Sequence, residues 1–431
     1  MVGGDTIMAL SSGALPAGVA VIRLSGPLVP TALLAMAGDL PPPRRLVLRP
    51  IGATRQLDRG LVAFFPAPHS FTGEDCAELQ VHGSPAGVKA ILAQLREQGL
   101  RLAEPGEFTR RAFENGKLDL LAVEGLGDLL AAETEKQRQQ ALARYDGRLS
   151  AAVDGWREDL LDLRAELEAR LDFSDESDVD EVLPAAFHDK LAGLRLGLET
   201  ALGSINSGRI VREGIRVALA GPPNAGKSSL LNALSRSDVA IVSTEAGTTR
   251  DVREVPLDID GQLFILLDLA GLRETESLAE AEGVRRAYAA IAAADIVVWL
   301  QAPDVPQLAP PQVTGQVITV RTKADLDLAG DANALAVSAV SGAGLHELMA
   351  RLGGIGAALA GGEPALVSHE RDRQGLEEAV AALQVAAKGL DNWELAAENL
   401  RVASAALERL LGRLDPERVL DRLFANFCIG K

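Results

Sequence analysis

The sequence GPPNAGKSS at residues 221–229 constrains the fold of this chain more than any other stretch. It fits the spacing G-x-x-x-x-G-K-[ST], directly follows the apolar run IRVALA and precedes the helical pattern SLLNALSR. A strand that ends in such a loop and continues into a helix presents backbone N–H groups to phosphates. In this interpretation Lys227 reaches the β- and γ-phosphate oxygens and Ser228 binds Mg²⁺. The alternative is a simple turn into a helix.

Two motifs downstream supply the rest of a metal and γ-phosphate site. GTTRD at 247–251 contains Thr249, whose hydroxyl can bind Mg²⁺ and sense the γ-phosphate. DLAG at 268–271 ends a strand-like run and supplies the Asp268 carboxylate on the metal side and the Gly271 N–H for the γ-phosphate. Carboxylate and hydroxyl oxygens are the protein ligands that suit Mg²⁺.

The motifs TKAD at 322–325 and VSAVSG at 337–342 predict the contacts to the base. Lys323 can lie along the base, and Asp325 can accept from N1–H and the exocyclic amine of guanine. Ser338 and Ala339 add further base contacts. Adenine offers no such pair of donors, so Asp325 would stay unpaired and ATP would be rejected.

The order of these motifs resembles that of the translation-factor-like GTPases, with two departures. Thr322 stands where the pattern has Asn, and Leu269 stands where DTAG is usual. The first departure bears on affinity and base discrimination, whereas the second is tolerable if only the backbone is used. The remaining predicted nucleotide contacts are Asn224, Ala225, Gly226, Ser229, Ser243, Thr244, Glu245, Ala246, Gly247, Thr248 and Ala270.

The length of the chain predicts several domains, because 431 residues are too many for one ordinary hydrophobic core. Short apolar runs with Gly and Pro predict an α/β or α+β domain over 1–117. Helical spacing of apolar residues predicts a discontinuous helical domain over 118–210 and 366–431. Between them, strand-like runs alternate with helical segments over 211–365, which predicts an inserted P-loop (Ras-like) domain with a mostly parallel sheet.

The composition limits the classes of partner. The net charge is −17 and the pI about 4.9, which disfavours a broad basic surface for nucleic acid, so any RNA contact must be local or made by a partner. Two distant cysteines indicate neither a disulfide framework nor a zinc site. Cys76 is interpreted as a core residue. No signal peptide or membrane-spanning run is recognisable, so a cytoplasmic protein is expected.

The residue after Gly271 is Leu272, which cannot orient an attacking water as a side-chain amide would. Asn224 in the phosphate loop offers a carbonyl oxygen that, with backbone carbonyls of 243–248, could hold K⁺ where an arginine charge would otherwise act. An ordinary loop Asn is the alternative. For the water, Glu274, Glu276, Glu280 and Glu282 follow, and each could equally be a solvated helix charge.

Taken together, the chain resembles the MnmE (TrmE) family of tRNA modification GTPases. The resemblance is carried by FTGEDCAELQVHGSP at 71–85, PGEFTRRAFENGKLDLLAVEGLGDLL at 105–130, the inserted domain with GPPNAGKSS and AGTTRD, and the terminal FCIGK at 427–431. It covers essentially the whole chain, and the N-terminal stretches and the tail are more specific than the nucleotide motifs.

The resemblance implies a K⁺-stimulated GTPase that acts with the FAD protein MnmG. The pair would place an aminomethyl or carboxymethylaminomethyl group on the wobble uridine of certain tRNAs. It further implies that the domain over 1–117 binds tetrahydrofolate and forms a homodimer, that the chain forms a heterotetramer with MnmG, and that tRNA binds mainly through that partner. K⁺ ligands would be Asn224, Ser243, Glu245 and Thr248. The catalytic glutamate would be Glu280, with Glu282 as the alternative.

A folate site is also implied by the resemblance. The one-carbon donor would be a tetrahydrofolate derivative, in the 5,10-methylene or 5-formyl form, bound by Arg23, Glu78, Lys117 and Lys431. Cations suit the glutamate tail of a folate and a carboxylate suits the donor edge of its pterin. Cys428 would have a catalytic or positioning role at this site, unless it is a small apolar filler.

Two other functions are compatible with the nucleotide motifs. One is a regulatory ribosome-assembly GTPase that binds rRNA, although FCIGK and the N-terminal domain would then lack a purpose. The other is a folate-binding scaffold with degenerate GTPase activity, which only Thr322 and Leu269 support.

Overall fold

A computed structural model of the chain describes most of its residues. The described residues are 4–172, 182–241, 253–269, 285, 288–326, 335–362, 365–414, 423, 424, 427 and 430. They form two compact units, one of Met1–Gly127, Ser150–Arg157 and Ala405–Lys431 and one of Asp128–Leu149 and Glu158–Ser404. No helix in this described part has the length and apolar character that a membrane crossing requires. The domain boundaries inferred from the sequence stay a prediction.

The first unit contains a six-stranded sheet in the order β3-β4-β5-β2-β1-β6. Its strands are β1 (Ile7–Leu10), β2 (Ala17–Ser25), β3 (Val47–Ile51), β4 (Asp58–Phe65), β5 (Cys76–Gly83) and β6 (Arg101–Leu102). The helices of this part of the sequence are α1 (Val29–Ala37), α2 (Pro85–Glu97), α3 (Glu107–Glu114) and α4 (Leu120–Ala131). All strand pairs are antiparallel except β1–β6.

The core of this unit lies between the sheet and two helices. Apolar side chains of α1 and α2, such as Leu33 and Ile91, pack with Ile22 and Leu79 from the sheet. Cys76 is buried, with its Sγ 3.1 Å from the Thr72 Oγ1, which confirms its interpretation as a core residue.

The second unit contains the predicted, mostly parallel sheet, in the order β12-β11-β10-β7-β9-β8. Its strands are β7 (Ile215–Ala220), β8 (Arg253–Ile259), β9 (Gln262–Asp268), β10 (Ile296–Gln301), β11 (Gln316–Arg321) and β12 (Leu335–Ala336). Only the β8–β9 hairpin pair is antiparallel among these strands. Two helices that follow strands of this sheet are α9 (Lys227–Leu234) and α10 (Leu345–Ala360).

Helices precede and follow this sheet in the sequence, and some of them pack against each other. They are α5 (Glu135–Tyr145), α6 (Arg148–Asp172), α7 (Ala185–Gly203), α8 (Ile205–Glu213), α11 (Glu370–Lys388) and α12 (Trp393–Leu410). In particular, α7 packs against α11. This contact agrees with the expectation of a helical domain interrupted by an inserted sheet.

Helix α5 donates hydrogen bonds to both chain segments that connect the helical part of the sequence to the sheet. The Nε2 of Gln137 donates to the Arg212 carbonyl at 2.9 Å. The Nε2 of Gln140 donates to the carbonyls of Gly208, at 3.1 Å, and Ala365, at 2.6 Å. The chain enters the sheet through α8 and leaves it through residues 361–369, so α5 ties entry and exit together.

A buried ion pair closes the same region. Arg144, with a fully buried side chain, donates from Nη1 to the Asp372 Oδ2 at 2.7 Å and also to the Leu366 carbonyl. Burial raises the pKa of Asp372, but the charge and hydrogen bond of Arg144, together with other nearby basic groups, hold the pKa below its ordinary value. Removing one partner would leave a buried charge unpaired, at a cost of about 3–5 kcal/mol.

Gly208 lies where entry and exit segments touch, and its substitution is expected to destabilise the second unit. A Cβ at this position would stand 2.0 Å from the Val367 carbonyl oxygen, so the backbone must shift. We expect Gly208→Ala to lower the free energy of unfolding by about 1–3 kcal/mol. Urea denaturation followed by circular dichroism would measure it.

The matched control is Gly193→Ala in α7, where a Cβ meets nothing within 4 Å. Because alanine favours helix over glycine, this variant should gain up to about 1 kcal/mol. Equal destabilisation by both substitutions would contradict the account of the Gly208 contact.

Candidate active site

The phosphate loop joins β7 to α9 at the carboxyl end of the sheet. Gly221 has a φ of +148°, and a Cβ there would lie 2.5 Å from the Leu300 carbonyl oxygen, so only glycine fits. Asn224 is left-handed at φ +65°, a conformation that Asn tolerates better than most residues. The loop borders a cavity of about 530 Å³ lined by Pro223, Asn224, Gly226, Lys227, Ser228, Ser229 and Lys323.

Lys227 is the first residue of α9 and is almost fully buried. Its Nζ donates to two loop carbonyls, Gly221 at 2.9 Å and Pro222 at 3.0 Å. Burial lowers its pKa, and the charge of Asp268 opposes that shift in part. A cation held inside the loop, at a helix N-terminus, is suited to bind phosphate oxygens.

Ser228, one of the two predicted Mg²⁺ ligands, lies beside Asp268, which the sequence placed on the metal side; the other predicted ligand, Thr249, lies outside the described residues. The Ser228 Oγ donates to the Asp268 Oδ2 at 3.0 Å, because the parallel pairing of β7 and β9 sets Asp268 beside Leu219 at the strand ends. The Asp268 Oδ1 is buried and has no hydrogen-bond partner within the described residues. A hydroxyl and a carboxylate with an unused oxygen fit a magnesium ion.

Three of the predicted base contacts, Lys323, Asp325 and Ala339, line a second cavity of about 210 Å³, which Thr322 and Val337 also border. The Ser338 Oγ donates to the Asp325 Oδ1 at 2.6 Å, which orients the carboxylate. Lys323 is left-handed at φ +54°, and its Nζ lies 2.5 Å from the Asp304 Oδ2. Asp304 lies in the segment after β10 and was not foreseen from the sequence, since no motif includes it.

Thr322 connects the base loop to the phosphate loop. Its side chain is buried, and its Oγ1 lies 2.6 Å from the Ala225 carbonyl and 3.1 Å from the Gln301 carbonyl. The shorter contact joins segments 97 residues apart in the sequence. A threonine therefore supplies a donor between the two loops, where the usual motif has an asparagine.

This contact predicts a measurable effect on nucleotide affinity. Thr322→Val keeps the shape but removes the donor and leaves the buried Ala225 carbonyl without it. We expect the Kd for GTP to rise about tenfold, which corresponds to about 1.4 kcal/mol. Thr322→Ser retains the hydroxyl and should stay within about twofold of wild type. Titration of a fluorescent GTP analogue would measure both, and a serine variant as weak as the valine variant would contradict the role of the hydroxyl.

The other predicted residues of the nucleotide site divide into two groups. Leu269 is buried in an apolar cluster with Leu267 and Ile291, so its side chain serves the core and only its backbone can serve a nucleotide. The remainder lie outside the described residues. They are Ser243, Thr244, Glu245, Ala246, Gly247, Thr248, Thr249, Ala270, Gly271, Glu280 and Glu282. Cys428 and Lys431, which were predicted for the folate site, also lie outside the described residues.

A second cluster in the first unit contains two of the residues proposed for folate. Arg23 and Glu78 face each other on β2 and β5, with the Arg23 Nη2 3.0 Å from the Glu78 Oε1. The Arg23 Nη1 donates to the Gly430 carbonyl at 3.4 Å. The rings of Phe71 and Phe108 lie 5.8 and 5.9 Å from the guanidinium carbon. We call these five residues the Arg23 cluster.

The remaining described folate candidate, Lys117, packs its aliphatic stem beside Gly73, where a Cβ would stand 3.1 Å from the lysine Cε. The sequence interpretation missed Phe71 and Phe108 as members of the Arg23 cluster. Both lie inside stretches that carry the family resemblance, FTGEDC and EFTRRAF. Their place in these stretches is the sequence feature that could have indicated a role at this site.

Comparisons with known proteins agree with this arrangement. The family model described as GTP-binding protein TrmE N-terminus matches residues 6–117, and the MnmE helical domain model matches residues 120–428. The tRNA modification GTPase MnmE of Azorhizobium caulinodans is 51% identical, over 99% of this chain and 99% of that protein. The chain belongs to the MnmE family of tRNA modification GTPases. The MnmE of Rhizobium johnstonii is 48% identical, again over 99% of both chains.

Membership of the MnmE family makes this chain a GTPase that binds GTP and takes part in tRNA modification. Among solved structures, the G domain of the T. maritima FeoB iron transporter is 27% identical, over 32% of this chain and 96% of that one. Its TM-score is only 0.25, so this likeness adds nothing to the MnmE assignment.

Proposed function

We propose that this chain and its FAD-dependent partner MnmG add an aminomethyl or carboxymethylaminomethyl group to C5 of the wobble uridine in certain tRNAs. The one-carbon unit comes from a methylene-tetrahydrofolate held in the N-terminal domain. The chain acts in the cytoplasm as a homodimer, within a heterotetramer with MnmG. GTP hydrolysis requires Mg²⁺ and is stimulated by K⁺.

The observation that carries the folate part of this proposal is the Arg23 cluster. A backbone group of the FCIGK tail lies against a residue 407 positions earlier in the chain. That residue is the cation Arg23, which pairs with the Glu78 carboxylate and lies beside the rings of Phe71 and Phe108. All four side chains are partly or fully buried. Folate has a flat pterin with hydrogen-bond donors and an anionic glutamate tail, and such a set of groups can bind both ends.

In GTP hydrolysis the chain mainly positions the reacting groups and stabilises the charge that develops on the phosphates. Lys227 binds the β- and γ-phosphate oxygens, while Ser228 and Thr249, with Asp268 on the metal side, would hold a magnesium ion that neutralises their charge. Asn224, with Ser243, Glu245 and Thr248, would hold a potassium ion, whose positive charge would take the place of an arginine finger. Glu280, or Glu282, orients the attacking water, because Leu272 cannot.

The potassium proposal predicts a salt-specific rate. We expect GTP turnover to be at least about tenfold faster in KCl than in NaCl at equal ionic strength, because K⁺ would stabilise the transition-state charge. Asn224→Ala should lose most of that difference. Steady-state phosphate release measures both, and equal rates in the two salts for the wild type would contradict the proposal.

Reconstitution tests the modification step itself. The purified chain, MnmG, unmodified tRNA, GTP and methylene-tetrahydrofolate are combined with a nitrogen donor, in parallel reactions with glycine and with ammonium. We expect the modified uridine only when every component is present, and loss of product with Arg23→Ala. Active GTP turnover without product in any reaction would instead favour the regulatory ribosome-associated GTPase.

A further inference from the structure

The edge of the N-terminal sheet carries a concentration of arginine that none of the proposed sites uses. Residues 44–59 contain five arginines and one aspartate. The first 117 residues contain 12 Lys and Arg against 10 Asp and Glu, although the whole chain has 43 against 60. The acidic balance therefore lies entirely in residues 118–431, and this segment is a local exception to it.

These arginines lie in or next to the two strands at one edge of the sheet, β3 and β4. β3 is the terminal strand and pairs only with β4 in this sheet. Arg44 donates its backbone N–H to the Phe64 carbonyl near one end of the pair, and Arg59 lies opposite Pro50 near the other. Arg45 to Ile51 alone spans roughly 20 Å of extended chain. We call Arg44, Arg45, Arg49, Arg55 and Arg59 the arginine edge.

Most of the positive charge on the arginine edge is not neutralised. Arg49 is paired with Asp39, with its Nε 2.7 Å from the Oδ1. By contrast, Arg45, Arg55 and Arg59 are exposed, and their side chains make no hydrogen bond or ion pair with any other residue that the structure describes.

The aspartate of this segment and its remaining arginine, Arg44, make contacts of their own. The Asp58 Oδ1 lies 2.8 Å from the His82 Nδ1, and its Oδ2 accepts from the His82 backbone N–H at 2.9 Å. Arg44 donates from its side chain to the neutral His69 carbonyl, so it keeps its charge unpaired. The edge therefore presents four arginines available to an anion.

A charged edge strand also prevents sheet-to-sheet association, and this is the simpler explanation. That role is indifferent to the sign of the charge, and on a chain of net charge −17 acidic residues would serve it equally. A row of unpaired guanidinium groups is instead what phosphate oxygens bind, because each can donate two parallel hydrogen bonds.

We propose that the arginine edge is this chain's own contact surface for the phosphate backbone of tRNA. The proposal rests on the family assignment to tRNA modification and deepens the proposed function. Contacts of this kind position the RNA without reading its sequence. The acidic remainder of the chain repels the same polyanion, so the edge orients tRNA on the N-terminal domain while the partner supplies most of the affinity.

The test compares two triple variants of the full chain. In one, Arg45, Arg55 and Arg59 are replaced by glutamate, which keeps a charged edge but reverses its sign. In the other they are replaced by lysine, which keeps the sign. Binding of total tRNA is measured by fluorescence anisotropy over a series of KCl concentrations, because counterion release makes the slope of log K against log salt report the number of phosphate contacts.

We expect the glutamate variant to lose about two to three units of that slope and at least about tenfold in affinity at low salt. The lysine variant should keep the slope. GTP turnover should be unchanged in both variants, because these side chains are remote in sequence from the nucleotide motifs and make no hydrogen bond or ion pair with a described residue.

The matched control reverses three exposed arginines elsewhere, Arg148, Arg236 and Arg351, and so changes the net charge equally. The proposal is overturned if this control weakens tRNA binding as much as the edge variant does. It is equally overturned if the edge variant binds like wild type or if the wild type binds no tRNA at low salt. None of these results would contradict a role in wobble-uridine modification, because a nucleoside profile of total tRNA tests that role separately.

Discussion

Asp325→Asn is expected to reverse the base preference of the GTPase. In the proposed site the carboxylate would accept from both N1–H and the 2-amino group of guanine, and the Ser338 hydroxyl donates to its Oδ1 at 2.6 Å. An asparagine offers one acceptor and one donor, so the guanine amino group would face a donor. Xanthine has a carbonyl at that position and would pair with the amide.

The expected size of this effect is large because the base cavity has few polar groups. A site built to bind a donor rejects an analogue that lacks it by about 10⁴–10⁵ in kcat/KM. We expect kcat/KM for GTP to fall by about this factor, while xanthosine triphosphate becomes the better substrate.

The control for this experiment is Asp304→Asn, which removes a neighbouring carboxylate that pairs with Lys323. That variant should keep the preference for GTP, because Asp304 is not expected to accept from the base. If Asp325→Asn still preferred GTP over the xanthine nucleotide, the assignment of Asp325 as the guanine acceptor would be wrong.

Lys227→Ala is the second substitution with a large expected effect. Its buried ammonium is held inside the phosphate loop by two carbonyls and would contribute directly to binding and to charge stabilisation. Loss of such a preorganised charge costs about a hundredfold or more in kcat. Single-turnover hydrolysis of GTP would measure the loss.

Lys190→Ala is a matched control on α7, where the lysine pairs with Asp162. It removes the same charge from the same unit and should leave GTP turnover unchanged. A Lys227→Ala protein that hydrolyses GTP within about threefold of wild type would contradict the phosphate-site assignment.

Sequence reasoning was most successful where a motif is short and local. The phosphate loop could be predicted because strand, loop and helix are contiguous, and the mostly parallel sheet because its strands alternate with helical segments. The order of the downstream motifs then predicted Ser228 beside Asp268, which the parallel pairing of β7 and β9 explains.

The contacts that could not be predicted join residues far apart in the sequence. Thr322 departs from the usual base motif, and the motif alone does not indicate that its hydroxyl donates to the Ala225 carbonyl. Arg144 and Asp372 are 228 residues apart, and nothing in either local sequence marks them as a buried pair. Burial and tertiary contact decide these roles, and neither is encoded in a short pattern.

The measurement that tests the central claim most directly is a mass-spectrometric nucleoside profile of total tRNA from a strain that lacks this gene. The account predicts loss of the C5-aminomethyl and carboxymethylaminomethyl wobble uridines, with recovery on expression of the wild-type chain but not of Lys227→Ala. An unchanged profile in the deletion strain would contradict wobble-uridine modification as the function of this chain.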